Sequence, residues 1–142
     1  MPSFSHSIDV KRPPDEVFPW LLEEDKVPVW TSDLQRYEVV GALGPGARAR
    51  QTLDVGGGLL LDMEITRYEP PRAAESRFET NGVKLVSAYL LEPADGGTRI
   101  TQTLDAKAGG IAARMLIPVV QGRLEKKVAG DLERLRGVLE AS

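Results

Sequence analysis

Residues 72–92 read RAAESRFETNGVKLVSAYLLE. Asn81-Gly82 lies near the centre, and this dipeptide is a strong signal for a two-residue turn between antiparallel strands. Side chains of a strand alternate between its two faces. Before the turn Ala74, Ser76 and Phe78 share one face; after it Val83, Leu85, Ser87, Tyr89 and Leu91 do. The stretch predicts a hairpin of Arg72–Thr80 with Val83–Glu92.

The same pattern continues in both directions. Upstream, Glu38–Gly41 is followed by Gly44-Pro45-Gly46, Ala47–Val55 runs to Gly56-Gly57-Gly58, and Leu59–Tyr68 runs to Glu69-Pro70-Pro71. Downstream, a Pro/Asp/Gly turn leads to Thr98–Ala106, which stops at Gly109-Gly110. Six strands joined by short turns describe an antiparallel meander. A further strand opens the chain over residues 3–11. Its inner face carries Phe4, His6, Ile8 and Val10, and His6 is the only histidine.

Helices occupy the remainder. Pro13–Asp25 starts like a helix, with Pro14 suited to a first helical position and Asp15 and Glu16 near the positive end of the dipole. Pro19 removes a backbone donor, so this helix is expected to be short or kinked. A second short helix is expected near Val29–Leu34, with Trp20 and Trp30 packing the two pieces together. Ile111–Glu140 repeats Ile117, Leu124, Val128, Leu132, Leu135 and Leu139 at helical spacing. That segment spans about 45 Å as a helix, with charges on its far face and a kink or restart expected at Pro118. Only this helix is long enough to cover the sheet. The expectation is an α+β fold in which a curved antiparallel sheet grips the last helix and leaves a cavity between them.

Composition narrows the function. With 142 residues, 42 % hydrophobic and 27 % charged, one soluble domain over residues 1–142 is expected. A net charge of −3 with mixed signs gives no support to nucleic-acid binding. No apolar run reaches the roughly 20 residues of a membrane span, so no stable membrane insertion is expected. The N-terminus lacks the pattern of a signal peptide, and cysteine is absent; a cytoplasmic location is expected. The lack of cysteine rules out disulfides, thiol catalysis and thiolate metal sites. One histidine argues against a protein-only zinc site, and neither metal nor cofactor is expected. Gly56-Gly57-Gly58 has no Lys-Ser/Thr after it and is not a phosphate loop. No Gly-x-Ser-x-Gly elbow occurs.

Four pieces, in order, carry a resemblance. They are IDVKRPPDEVFPWLLE from Ile8, Pro28-Val29-Trp30, Gly44-Pro45-Gly46-Ala47-Arg48, and LEPADGGTRIT from Leu91. Together they resemble the START-related, pollen-allergen-like superfamily (SRPBCC), and within it the polyketide cyclase/dehydrase-like branch. The resemblance spans nearly the whole chain; Pro19 departs from the usual first helix. It implies a helix-grip fold, with a seven-stranded curved antiparallel sheet, two short helices and a long C-terminal helix. It also implies a hydrophobic cavity for lipids, polyketides or similar molecules. It does not choose between carrier or sensor, cyclase/dehydratase enzyme and protein-interaction module, since the superfamily includes all three.

Alternation assigns the inward faces. Beyond the first strand and the central hairpin they hold Ala47, Ala49, Gln51, Leu53, Val55, Leu59, Leu61, Met63, Ile65, Ile100, Gln102 and Leu104, and the helix offers Met115, Leu116, Val119 and Arg123. An apolar wall with sparse polar points is the usual make-up of a small-molecule site. The candidate ligand-binding residues are His6, Gln51, Leu61, Met63, Phe78, Ser87, Tyr89, Gln102, Met115, Val119 and Arg123. No catalytic residue is assigned. His6 reads as a ligand contact, as an acid/base, as a core histidine satisfied by Tyr89, a glutamine or a water, or as a residue near the exposed strand start. Tyr89 reads as a ligand contact or as core. If turnover occurs, His6, Tyr89 and Arg123 are the candidates. The expected partner is a hydrophobic small molecule. The Leu59-Leu60-Leu61 run puts a leucine on the outer face, as a portal lip, a homodimer contact or an ordinary exposed residue.

Overall fold

A computed structural model describes residues 3–54, 59–80 and 82–141; within them the side chains of residues 59, 80, 108, 112, 113, 116, 117, 119 and 120 lie outside the description. Val55, the triple glycine and Asn81 fall outside it, as do the side chains of Leu59, Leu116, Ile117 and Val119.

Seven strands form one antiparallel sheet. They are β1 (Ser3–Val10), β2 (Leu34–Val40), β3 (Arg48–Leu53), β4 (Leu59–Glu69), β5 (Ala73–Thr80), β6 (Val83–Ala94) and β7 (Gly97–Ala108). The spatial order is β1-β7-β6-β5-β4-β3-β2, a meander closed at one edge by the first strand. Thr80 pairs with Val83 and Ala94 with Gly97, so each turn holds two residues. Gly82 and Gly96 there have φ of 77° and 72°, the left-handed conformation such turns demand and glycine adopts without strain. Cross-strand ion pairs stud the outer face: Arg99 with Asp9, Arg50 with Asp62, Arg77 with Glu64. Such exposed pairs add little stability each. Leu60 stands on that face, 60 % exposed.

Alternation holds until a bulge interrupts it. Ile65 pairs with Ser76, but the next partners are Arg67 with Glu75 and Tyr68 with Ala74. The extra residue turns Tyr68 inward, where its ring meets Phe18 edge-on at 5.4 Å. Unbroken alternation would have turned Arg67 inward instead.

The helices differ from expectation. The single helix expected over Pro13–Asp25 is one α-turn, α1 (Pro14–Val17), followed by a 3-10 turn over Phe18–Leu21. Pro19 lacks the N–H that a continuous α-helix needs there. The second helix, α2 (Val27–Trp30), begins two residues earlier than expected and ends at Thr31, whose backbone is extended. Residues 32–34 therefore leave the helix, Asp33 takes φ of 56°, and β2 starts at Leu34. The last helix, α3 (Ile111–Ala141), passes Pro118 without division. Val128, Leu132, Leu135 and Leu139 of α3 pack on Ile8, Val10, Ile100 and Leu104 of β1 and β7, and on Val17, Phe18 and Leu21. A second cluster joins Val27, Tyr37, Ala49 and Met63 at the β2–β4 end of the sheet.

Candidate functional site

Between those clusters the sheet and helix part, leaving a cavity of about 110 Å³. Its walls come from the inward faces of β2 to β7, from the short helices, and from one side of α3. The apolar lining includes Leu22, Val27, Trp30, Leu53, Leu61, Met63, Phe78, Leu104, Leu124 and Val128. Gln51, Ser76, Ser87, Tyr89 and Gln102 supply neutral polar groups. Gln102 Nε2 donates to Ser87 Oγ at 3.1 Å. Gln102 and Tyr89 face each other across β6 and β7, as Ser87 and Ser76 do across β5 and β6.

Two phenols flank this row. The Tyr37 hydroxyl donates to the Leu22 carbonyl at 2.6 Å, tying β2 to the short helices. Burial pushes its pKa well above the usual tyrosine value, and the Glu24 charge adds to this. Burial raises Tyr89 likewise, helped by Tyr37 and Asp131 and opposed by a hydrogen bond with Ser87. Both phenols stay protonated in the folded chain at neutral pH.

One wall carries charge. Asp131 is buried on α3 and receives Lys127 Nζ at 2.9 Å. Asp131 Oδ1 also accepts the Ser32 backbone N–H at 3.0 Å, and Lys127 Nζ donates to the Ser32 carbonyl at 2.6 Å. The pair thus fastens α3 to the segment between α2 and β2.

Of the residues singled out in the sequence, Gln51, Leu61, Met63, Phe78, Ser87, Tyr89 and Gln102 line the cavity together. Three do not. His6 lies beside the lining, paired with Gln102 on the neighbouring strand; its Nε2 is buried and has no hydrogen-bond partner among the described residues. Neither Tyr89 nor a glutamine is therefore its partner at that nitrogen. Met115 is 75 % exposed and Arg123 is exposed. At roughly 100° per residue each lies about 140° around α3 from Val128, away from the buried stripe. The side chain of Val119 is outside the description.

Sequence reasoning missed Asp131, Lys127 and Tyr37. The sequence pattern puts the charges of α3 on its far face, yet Asp131 follows Val128 by three residues and precedes Leu135 by four. That spacing puts it at the edge of the buried stripe, which was the available signal. Trp30, read as packing for the small helices, donates Nε1 to the Trp20 carbonyl at 2.8 Å and lines the cavity as well. Among the described residues no three His, Asp or Glu side chains converge to hold a metal ion. No helix there is long and apolar enough to cross a membrane.

The family model described as polyketide cyclase/dehydrase and lipid transport matches residues 1–140. The chain belongs to that family. Among curated proteins it is similar to an uncharacterized protein of Mycobacterium tuberculosis, 25 % identical, covering 97 % of this chain and 84 % of the relative. Among solved structures it resembles Ara h 8.0201, with a TM-score of 0.81, 20 % identity and 99 % of both chains covered. It also resembles the di-domain ARO/CYC BexL from the BE-7585A biosynthetic pathway, with a TM-score of 0.79 and 17 % identity, covering 96 % of this chain and 46 % of that one. The protein TTHA0849 of Thermus thermophilus superposes with a TM-score of 0.77 at 18 % identity, covering 99 % of this chain and 98 % of that one. At these identities the structural likenesses establish the fold, the helix grip expected above.

Proposed function

We propose that this family member binds a hydrophobic small molecule of the lipid or polyketide kind in the cavity under α3, as a carrier or sensor. The observation that carries the reading is an apolar wall, drawn from both sheet and helix, with a row of neutral polar groups through it. Such a site removes an apolar guest from water and orients it by a few hydrogen bonds. The family's description and the ARO/CYC designation of BexL point to the same class of guest.

A cyclase/dehydratase would need a group that moves a proton at the guest. Of the three sequence candidates, only Tyr89 lines the cavity, and burial disfavours its anion, which leaves it a hydrogen-bond donor or acid with no base beside it among the three; His6 and Arg123 lie outside the lining. Binding is therefore favoured over turnover.

The reading is tested by titrating the purified chain with toluene and following methyl resonances by NMR. Saturable shifts at Leu53, Leu61 and Leu104 are expected. Ser76→Leu fills the cavity and should abolish them while the thermal midpoint and dispersed spectrum confirm folding. Shifts scattered over the surface, or retained in folded Ser76→Leu, would contradict it.

A further inference from the structure

We propose that the part of the guest held in this cavity is an electrically neutral, ring-sized group bearing carbonyl, hydroxyl or amide functions, and that the cavity refuses carboxylates. The inference rests on the binding reading and sharpens it to a chemical class.

The argument is a count of charges and donors. Among the described residues the lining holds two ionised side chains, Lys127 and Asp131. A lysine ammonium has three donors and no acceptor. Lys127 Nζ spends them on the Ser32 carbonyl at 2.6 Å, Asp131 Oδ2 at 2.9 Å and Ser32 Oγ at 3.4 Å. Asp131 in turn uses both oxygens, one on Lys127 and the other on the Ser32 N–H. The pair is neutral as a unit and has no donor left for an incoming anion. Arg123, the cation on α3 that the sequence offers as a ligand contact, is exposed and outside the lining. The residues and side chains outside the description are Met, Pro, Val, Gly, Leu, Thr, Asn, Ala, Ile and Ser, so they add no ionisable side chain.

A carboxylate entering this space would lose its hydration and find no counter-charge. Neutral groups fare differently. Gln51 and Ser76 make no side-chain hydrogen bond among the described residues, and the Gln102 amide commits only its Nε2. Each can meet a carbonyl, hydroxyl or amide. The protonated phenol of Tyr89 adds a neutral neighbour rather than a charge. Size sets the other limit. The volume, about 110 Å³, is below the roughly 150 Å³ of a cavity known to take benzene. One ring fits with a small adjustment of a flexible wall such as Met63.

The test uses four probes of one size: benzamide, benzyl alcohol, benzoate and benzylammonium. Dissociation constants are measured at pH 7 by NMR titration of the full chain. The two neutral probes should bind at least about tenfold tighter than benzoate, the scale of an unpaired charge in an apolar site. Asp131→Asn leaves Lys127 without its carboxylate, and the ratio of benzoate to benzamide affinity should rise about tenfold. Lys127→Met leaves Asp131 alone and should shift preference to benzylammonium, which keeps the test decisive if Asp131→Asn fails to fold. Benzoate binding as tightly as benzamide, or ratios unmoved in both variants, overturns this inference and leaves the binding reading standing. Failure of every probe to bind overturns the binding reading and this inference with it.

Discussion

The two ends of the concave sheet face are built from the same kind of strand and end up in opposite states. At the β1–β7 end, alternate apolar residues meet the C-terminal half of α3, and Ile100, Leu132 and Leu135 have no exposed surface. At the β2–β5 end, Leu61, Met63 and Phe78 point inward by the same alternation and border open space instead. The difference is geometric. A helix follows a nearly straight axis while the sheet curves away from it, so close packing at one end leaves a gap at the other. Both ends are shielded from solvent, Leu61 and Met63 being only 5 % and 6 % exposed; what distance from α3 sets is whether an inward side chain meets the helix or an internal gap.

Leucine truncation should separate the two ends most widely. Leu132→Ala removes a side chain packed on all sides and should cost about 4 kcal/mol in urea denaturation. Leu61→Ala enlarges a space that already exists and should cost about 2 kcal/mol. Equal losses would mean that the ends are packed alike.

Adding an atom probes the tight end from the other direction. A Cβ on Gly97 would sit 1.9 Å from the Val10 carbonyl oxygen, backbone that cannot step aside without parting β1 from β7. Gly97→Ala should destabilise by about 2–3 kcal/mol. A neutral substitution would show that this edge yields.

The phenols of the open end predict its behaviour in alkali. Tyr37 and Tyr89 ionise above the ordinary value of 10.0 when folded. Above pH 10 the unfolded chain releases these protons while the folded chain keeps them. Their contribution is complete below pH 10 and declines as pH rises, by up to about 1.4 kcal/mol per pH unit for each group. Tyr37→Phe should flatten the decline between pH 10 and 11, measured by denaturant midpoint. An unchanged slope would place its hydroxyl in contact with solvent.

The smallest effect lies on the outer side of α3. A Cβ at Gly130 meets nothing within 4 Å, so Gly130→Ala should stabilise the packed half of the helix by about 0.5–1 kcal/mol. A loss would show that this surface is covered.

The strands were legible because turn chemistry and alternation are local. Asn81-Gly82 and Asp95-Gly96 fix two hairpins by themselves, and alternation then places Gln51, Leu61, Ser87, Tyr89 and Gln102 on the inner face. What was not legible depends on how elements approach one another. The bulge after Ile65 shifts register without any glycine or proline to announce it. The rotation of α3 decides that Asp131 is buried and that Met115 and Arg123 are exposed, and Met115 and Arg123 fall out of phase with Val128, Leu132 and Leu135. Pairing of His6 with Gln102 joins the first strand to the last, which no local pattern encodes.

Xenon distinguishes a filled interior from a hollow one without any assumption about the guest. Under a few atmospheres of the gas, methyl resonances of Leu53, Leu61, Met63 and Leu104 should shift with saturation, while those of Leu132, Leu135 and Leu139 stay still. Uniform small shifts across both sets, or none in either, would contradict a cavity under α3.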